Sequence, residues 1–318
     1  MARAYGWNTA LLLVYESAYG TSPGGNFQTL PFIECDLGAE QGLIDDDVLG
    51  LGRDPQAPSR DLVRVGGQVT VPLDVRSLGF WLKLVLDAPV TTGAGPYTHT
   101  FVSGITTGLP SASIEIGIPD VPTHFLYEGV KAESIRFELS RTGNARAVIQ
   151  LAGQKETKNA TTQGGTPAAS PAMSRFNQVQ GAIQRNTVDL SNVVSSNMEY
   201  RNNLESVDTI RSDSLVEGQD EGIAALSGSI TQRFASTTLY DDAVAATALD
   251  LDMIYTIDAS NKLTIAAQSA HLPRVKNPIR GPGGIEATFD FQGADDAGEG
   301  EMMEVVLIND VVNYDNPV

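Results

Sequence analysis

Hydrophobic and polar positions alternate in short runs along much of the chain, the period of half-buried strands. Ser111 to Ile118 sets Ala112, Ile114, Ile116 and Ile118 against Ser113 and Glu115. Lys262 to Gln268 sets Leu263, Ile265 and Ala267 against Thr264 and Gln268. Glu133 to Leu139 places Ile135, Phe137 and Leu139 on one face and Ser134, Arg136 and Glu138 on the other. Ile285 to Phe291 does likewise, with Ile285, Ala287, Phe289 and Phe291 opposite Glu286, Thr288 and Asp290. The period changes in two places. Val75 to Asp87 aligns Leu78, Trp81, Leu82, Val85 and Leu86 on one helical face, with Asp74 or Ser77 to cap it and Pro89 to stop it. Thr237 to Thr247 predicts a second, alanine-rich helix.

These landmarks recur in one order, which predicts an internal duplication. A strand led by a glycine turn, Gly67 to Leu73 or Gly228 to Phe234, precedes each helix. Ser111 to Ile118 and Lys262 to Gln268 follow as matching strands. Each half then closes with a hairpin, Glu133 to Leu139 with Ala145 to Ala152, and Ile285 to Phe291 with Met302 to Ile308. The closing loops, Ser140 to Asn144 and Gln292 to Glu301, differ in length, a change that surface loops accept at little cost. The expected fold class is mainly β with flanking helices (α+β), in two tandem domains. The expected boundaries are 1–155 for the first domain, 156–175 for a linker of small polar residues, glycine and proline, and 176–318 for the second.

Each half also carries a long polar excursion before its glycine-led strand. Leu37 to Leu62 holds Asp45, Asp46, Asp47, Arg53 and Asp54; Ser195 to Gly222 holds Arg201, Arg211 and Asp213. Long irregular loops in compact domains usually serve a function, and reaching a neighbouring subunit is the expectation here.

Composition supports two globular domains: 318 residues, 42% hydrophobic and 19% charged. No apolar run approaches the roughly 20 residues of a membrane helix, and Ala10 to Tyr15, ended by Glu16, reads as a strand. The formal charge of −18 divides as 11 − 16 = −5 for residues 1–155 and 10 − 23 = −13 for the rest. So acidic a chain is unsuited to gripping nucleic acid, whose affinity comes from Lys and Arg on phosphates, yet suits a wall past which a polyanion slides.

Candidate chemistry is sparse. Cys35 allows no disulfide within the chain, and Glu34 and Asp36 beside it would raise its pKa, so it reads as a small buried hydrophobe. His99, His124 and His271 have no shared metal spacing. Gly20 to Gly25 and Gly281 to Gly284 lack the lysine–serine pair of a phosphate loop. The pairs Asp241-Asp242 and Asp295-Asp296, like the run Asp45 to Asp47, lack the spacing of a cation-binding loop. No catalytic, cofactor or metal site is expected; a hydrolase would have to recruit one of the three histidines.

Several features in order resemble the tail tube, or major tail, proteins of long-tailed bacteriophages. They are Gly6-Trp7; Glu16 to Pro23; Gly52-Arg53-Asp54; the strand Gly67 to Leu73 with its helix; and Tyr127 to Ser134. The resemblance implies a structural virion protein, assembled in the host cytoplasm, built of two tandem β-sandwich or rolled-sheet domains whose inner sheets join into a barrel and whose rings stack into the conduit for genome DNA. It implies that Ser134, Arg136, Glu138, Glu286, Thr288 and Asp290 face the lumen, lining a polar, mixed to acidic wall. It implies that the loops with Asp45, Asp46, Asp47, Arg53, Asp54, Arg201, Arg211 and Asp213 fasten successive rings. Its partners would be further copies of itself, a tail terminator, a tape measure and tail tip proteins, with DNA passing unbound and no membrane involved. Two similar units per chain favour a trimeric, pseudo-hexameric ring; a true homohexamer is the alternative. The competing reading of the same β-rich pattern is a virion tip or adhesion module that binds a receptor.

Overall fold

The computed structural model describes residues 3–50, 52–104, 107–276, 279, 283–295 and 301–317. Strands take up 51% of the chain. The first half runs β1 (Ala10–Tyr15), β2 (Gln28–Leu30), β3 (Glu34–Cys35), β4 (Gly38–Ile44), β5 (Ser59–Pro72), α1 (Leu78–Leu86), β6 (Val90–Thr92), β7 (Tyr97–Val102), β8 (Ala112–Ile118), β9 (Thr123–Leu139), β10 (Arg146–Gly153) and β11 (Lys155–Asn159). The second runs β12 (Gly181–Arg185), β13 (Val188–Asp189), β14 (Val193–Arg201), β15 (Leu204–Val207), β16 (Gly218–Glu221), β17 (Ala225–Arg233), α2 (Thr238–Ala245), β18 (Leu249–Asp258), β19 (Asn261–His271), β20 (Glu286–Gly293) and β21 (Met303–Asn309).

One long strand builds both layers of the first half. The N-terminal part of β9 pairs with β8 and β11, and β8 pairs in turn with β1, which carries β2, forming an outer sheet. At Gly129, φ +67°, the strand turns; a Cβ there would lie 2.8 Å from Gln154 and 3.0 Å from the Tyr19 ring, so glycine is required. Beyond it, Lys131 to Phe137 pairs with β10, β10 with β5, and β5 with β3 and β4, forming the inner sheet. The apolar parity predicted from sequence holds: Ile135, Phe137, Ile149 and Val69 are fully buried between the layers. The α1 helix closes the core with Leu78, Trp81, Leu82 and Val85. Of the two capping candidates it is Asp74 that acts, its Oδ2 accepting from Ser77 N at 2.9 Å and Ser77 Oγ at 3.0 Å.

The second half repeats this pairing order. β12 pairs with β18, β18 with β19 and β19 with β21, while β14 pairs with β17 and β17 with β20. The halves interlock. Ser134–Leu139 of β9 pairs with Ser196–Arg201 of β14, so one inner sheet runs β5–β10–β9–β14–β17–β20. The β6–β7 hairpin of the first half adds to β21 of the second. In return, residues 310–316 come back over the first half, where Asp310 pairs with Arg76 at 2.6 Å and Asn316 brackets the Tyr15 backbone. The Tyr314 ring lies under α1 at Gly79, where a Cβ would sit 2.0 Å from it.

Several expectations are corrected. The glycines do not open their strands: Gly67 lies inside β5 and Gly228 inside β17. The second closing hairpin does not form, because β20 joins the inner sheet and β21 the outer one. The outer strand corresponding to β8 in pairing order is therefore β18, not Lys262 to Gln268, which belongs to β19. β8 is covered on both faces rather than half-buried. Thr162 Oγ1 and Gln163 N donate to Glu115 at 2.6 Å each, and Leu12, Val14, Phe27 and Leu126 form a small second core. Segment 156–175 is accordingly docked along its length: residues 155–159 form β11, and Ala168 N donates to Phe27 O at 2.8 Å. The excursion 195–222 contains most of β14 and the β15–β16 hairpin, and 37–62 contains β4 and the start of β5.

Candidate assembly surface

Alternation fixes what the six-stranded inner sheet shows to solvent. With Ile149, Ile135, Tyr200, Ile230 and Phe289 turned inward, the opposite face carries Gln68 and Gln150, Arg136 and Glu138, Asn197 and Glu199, Ser229 and Thr231, then Glu286, Thr288 and Asp290. Cross-strand neighbours align into rungs: Arg136 opposes Val148 and Glu199, and Ser229 opposes Asn197 and Asp290. Across these six strands the charges balance. Arg136, Arg146, Arg201 and Arg233 stand against Glu138, Glu199, Glu286 and Asp290. Arg136 lies 3.2 Å from Glu138, Arg201 2.9 Å from Glu199 and Arg233 3.9 Å from Glu286.

Five of the six lumen candidates, Arg136, Glu138, Glu286, Thr288 and Asp290, share this open face. Ser134 has the same parity but is only 3% exposed, since its short side chain lies directly between Gln150 and Arg201. Arg201, expected in a loop, is on β14 in this same face. The remaining loop candidates do lie off the body of the sheet. Asp45, Asp46, Asp47, Arg53 and Asp54 are exposed at the end of the β4–β5 hairpin, beside exposed Leu43, Ile44, Val48 and Leu49. Arg211 and Asp213, between β15 and β16, pair with each other at 2.7 Å.

Sequence reading missed that the two arms are in different situations. The β15–β16 arm of the second half lies against the first half. Asp208 pairs with Arg64 at 2.6 Å, Val63 N donates to Ser214 O at 2.9 Å, and Lys131 Nζ donates to Gln219 O at 3.0 Å. The arm and the inner sheet flank an open pocket of about 500 Å³ lined by Gly66, Gly67, Val216 and Gln219 among others. The β4–β5 arm shares this contact at its base, through Val63 and Arg64, whereas among the described residues its tip, from Leu43 to Leu49, is exposed. A visible hint was Gly66-Gly67, where a side chain at Gly67 would strike Asp36 O at 2.6 Å.

Titratable groups sit in structural roles. Burial, with Asp36 adding to it, pushes the half-buried Cys35 thiol up in pKa. Buried His99 is held below its usual range by desolvation, with Thr91 Oγ1 2.8 Å from Nδ1 and Val311 O 2.9 Å from Nε2. His124 lies beside Glu115, and His271 beside Ser269. Asp242 pairs with Arg185 at 2.6 Å. Among the described residues no group of three His, Cys, Asp or Glu converges as metal ligands, and no helix is long and apolar enough to cross a membrane. Gly281, Pro282 and residues 296–300 of the closing loop, Asp296 among them, lie outside the described residues.

A two-layered β architecture with one largely polar sheet face agrees with the family comparison, in which the model described as phage tail tube protein matches residues 6–293. The chain belongs to the phage tail tube protein family. It is thus a structural component of the virion tail, from a family whose members self-assemble into the tube and associate with other tail proteins. A search of curated proteins returned no match to the chain.

Proposed function

We propose that the chain holds two tandem tube units and that three chains close into a pseudo-sixfold ring, with rings stacked into the conduit for genome DNA. The observation that carries this reading is the β9–β14 seam. There the inner sheet of one half continues, strand to strand, into that of the other, with apolar and polar faces kept in parity. A seam of this kind repeated between chains extends the sheet head to tail, a heterologous contact that closes once the rotation completes a circle. Closure pairs every sheet edge and removes the aggregation hazard of open strands.

The polar face, with Arg136, Glu138, Glu286, Thr288 and Asp290, then lines the lumen. Its paired charges leave no basic tract for phosphates to displace ions from, so DNA meets a wall that neither grips nor strongly repels it. The β4–β5 arm with Asp45, Asp46, Asp47, Arg53 and Asp54 is available to fasten neighbours, and the terminator, tape measure and tip proteins would meet the end rings. The conduit acts by shape and charge alone. Electron microscopy of the purified chain tests this: closed rings or tubes with six lobes seen end-on are expected, and a monomer at high concentration across all salt conditions would overturn it.

A further inference from the structure

The first half completes its inner sheet with the second part of β9, whereas the corresponding edge of the second half stands open. Among the described residues nothing pairs with the outer edge of β20 from Glu286 to Phe291; β19 reaches only Gln292 and Gly293. The chain that leaves β19, Leu272 to Lys276, is irregular. Its sequence nevertheless fits a strand on that edge. His271 opposes Gln292 as Lys131 opposes Ala152, and Phe291 opposes Gly228 as Leu151 opposes Gly67. Carried forward in this register, Leu272 and Val275 fall at the core positions of Ala132 and Ile135, and Arg274 and Lys276 at the polar positions of Ser134 and Arg136. Pro273 falls on Glu133, the residue skipped where β9 shifts register against β10. A bulge is where a strand tolerates proline. Leu272 is already buried and Val275 packs on the core.

We infer that Arg274–Lys276 becomes the fourth inner strand of the second half when the β3–β4 edge of a second copy docks on it. This rests on the ring reading above and names the contact that closes the ring. The template is internal. β3–β4 flanks β5 as β14 flanks β17, with Cys35 opposite Val69 and Gly38 opposite Gly66, as Ser196 is opposite Ile230 and Glu199 opposite Ser227. Because Arg201 opposes Ser134, Glu40 of the incoming copy meets Arg274. Charge agrees: exposed Glu34, Asp36 and Glu40 approach exposed Arg274 and Lys276. In the single chain the edge is capped, since Ala39 N donates to the Glu156 carboxylate at 3.2 Å, a side chain occupying the place of a neighbour's carbonyl.

At the internal seam Asn202 N donates to Glu133 O at 2.8 Å, so the next pair, Arg201 and Ser134, is a non-hydrogen-bonded pair with Cβ atoms close together. Glu40 and Arg274 therefore suit a disulfide. With Cys35→Ser as background, Glu40→Cys and Arg274→Cys are combined, tubes are formed and oxidised, and the product is run on a non-reducing denaturing gel. Most of the chain should shift into covalent multimers, with neither single variant going beyond a dimer. Normal tubes that remain monomeric on the gel overturn the inference and leave the ring reading standing. Failure of the unmodified chain to form rings overturns both. If the double variant folds without assembling, a charge exchange decides: Glu40→Arg should raise the concentration needed for assembly about tenfold, and adding Arg274→Glu should restore it. No restoration, with both proteins folded, overturns the pairing.

Discussion

The two halves use the same strands to different ends. In the first, β9 is held on both sides, by β10 and β14, and the inner sheet is complete. In the second, β20 is held by β17 alone over most of its length. The arms invert this contrast: the second half's arm is seated on the first half, at Val63, Arg64 and Lys131, whereas the first half's arm runs past that contact to an exposed tip with Leu43, Ile44, Val48 and Leu49. Each half thus has one satisfied and one unsatisfied device, and the unsatisfied ones belong to opposite ends of the chain's inner sheet. A subunit that polymerises in a closed direction needs that polarity.

The largest test of the contrast is in the core. Phe137 and Phe289 are both fully buried, and replacing either by alanine should cost about 3 to 5 kcal/mol. Phe137, locked between Ala147 and Met198, should fall at the upper end, while the one-sided β20 relaxes around Phe289. Denaturant unfolding of the unassembled chain measures both, and equal costs would mean that the open edge is no looser than the closed seam.

Next come the paired glycines. A Cβ at Gly228 would lie 2.2 Å from Asn197 O and 2.4 Å from the Phe291 ring, and one at Gly67 2.6 Å from Asp36 O. Alanine at either should cost about 1 to 3 kcal/mol by overpacking, read as a lower melting temperature. Gly67 has φ +150° as well, so it should be the worse of the two; the reverse order would show that the β3–β4 edge yields more readily than β14.

His99 reports on the joint between halves, because its strand, β7, belongs to the first and pairs with β21 of the second. Its pKa is lowered on folding by burial, so the unfolded chain binds the proton first as pH falls. Stability is fully present above the unfolded value of about 6.5 and declines below it, by at most about 1.4 kcal/mol for each step of one in pH. Thermal melts from pH 7.5 to 5 should flatten in His99→Gln relative to the unaltered protein. An unchanged slope would remove His99 from the joint's energetics.

The smallest effect on folding is expected at the bare arm. Arg53 is exposed, so Arg53→Glu, beside Asp45, Asp46, Asp47 and Asp54, should move the melting temperature by less than about 0.5 kcal/mol equivalent while weakening tube formation. Unchanged tubes with a lowered melting temperature would assign the arm to folding instead.

What sequence could convey was local. The faces of β9 and β20 were legible because alternation is a property of one strand, and α1 was legible from its spacing of Leu78, Trp81, Leu82 and Val85. Partners were not. Met302 to Ile308 alternates equally well as a hairpin arm or as an outer strand, and only its pairing with β19 and β7 decides. Arg201 looked like a loop residue because Ser195, Ser196 and Asn197 are weak strand formers, yet β9 and β17 on either side hold them extended. Glu115 looked exposed by period, but the returning segment 162–164 satisfies its carboxylate and buries it. On the candidate surface, parity separated the core side of each strand from the other side, and Ser134 is buried on that other side because of the size of its neighbours.

The proposed assembly requires two units per chain alternating around one ring, and the mass of a single ring released from the tube measures this directly. Three chains with six lobes in the end-on average are the predicted result. Six chains per ring, or lobes equal in number to chains, would contradict it.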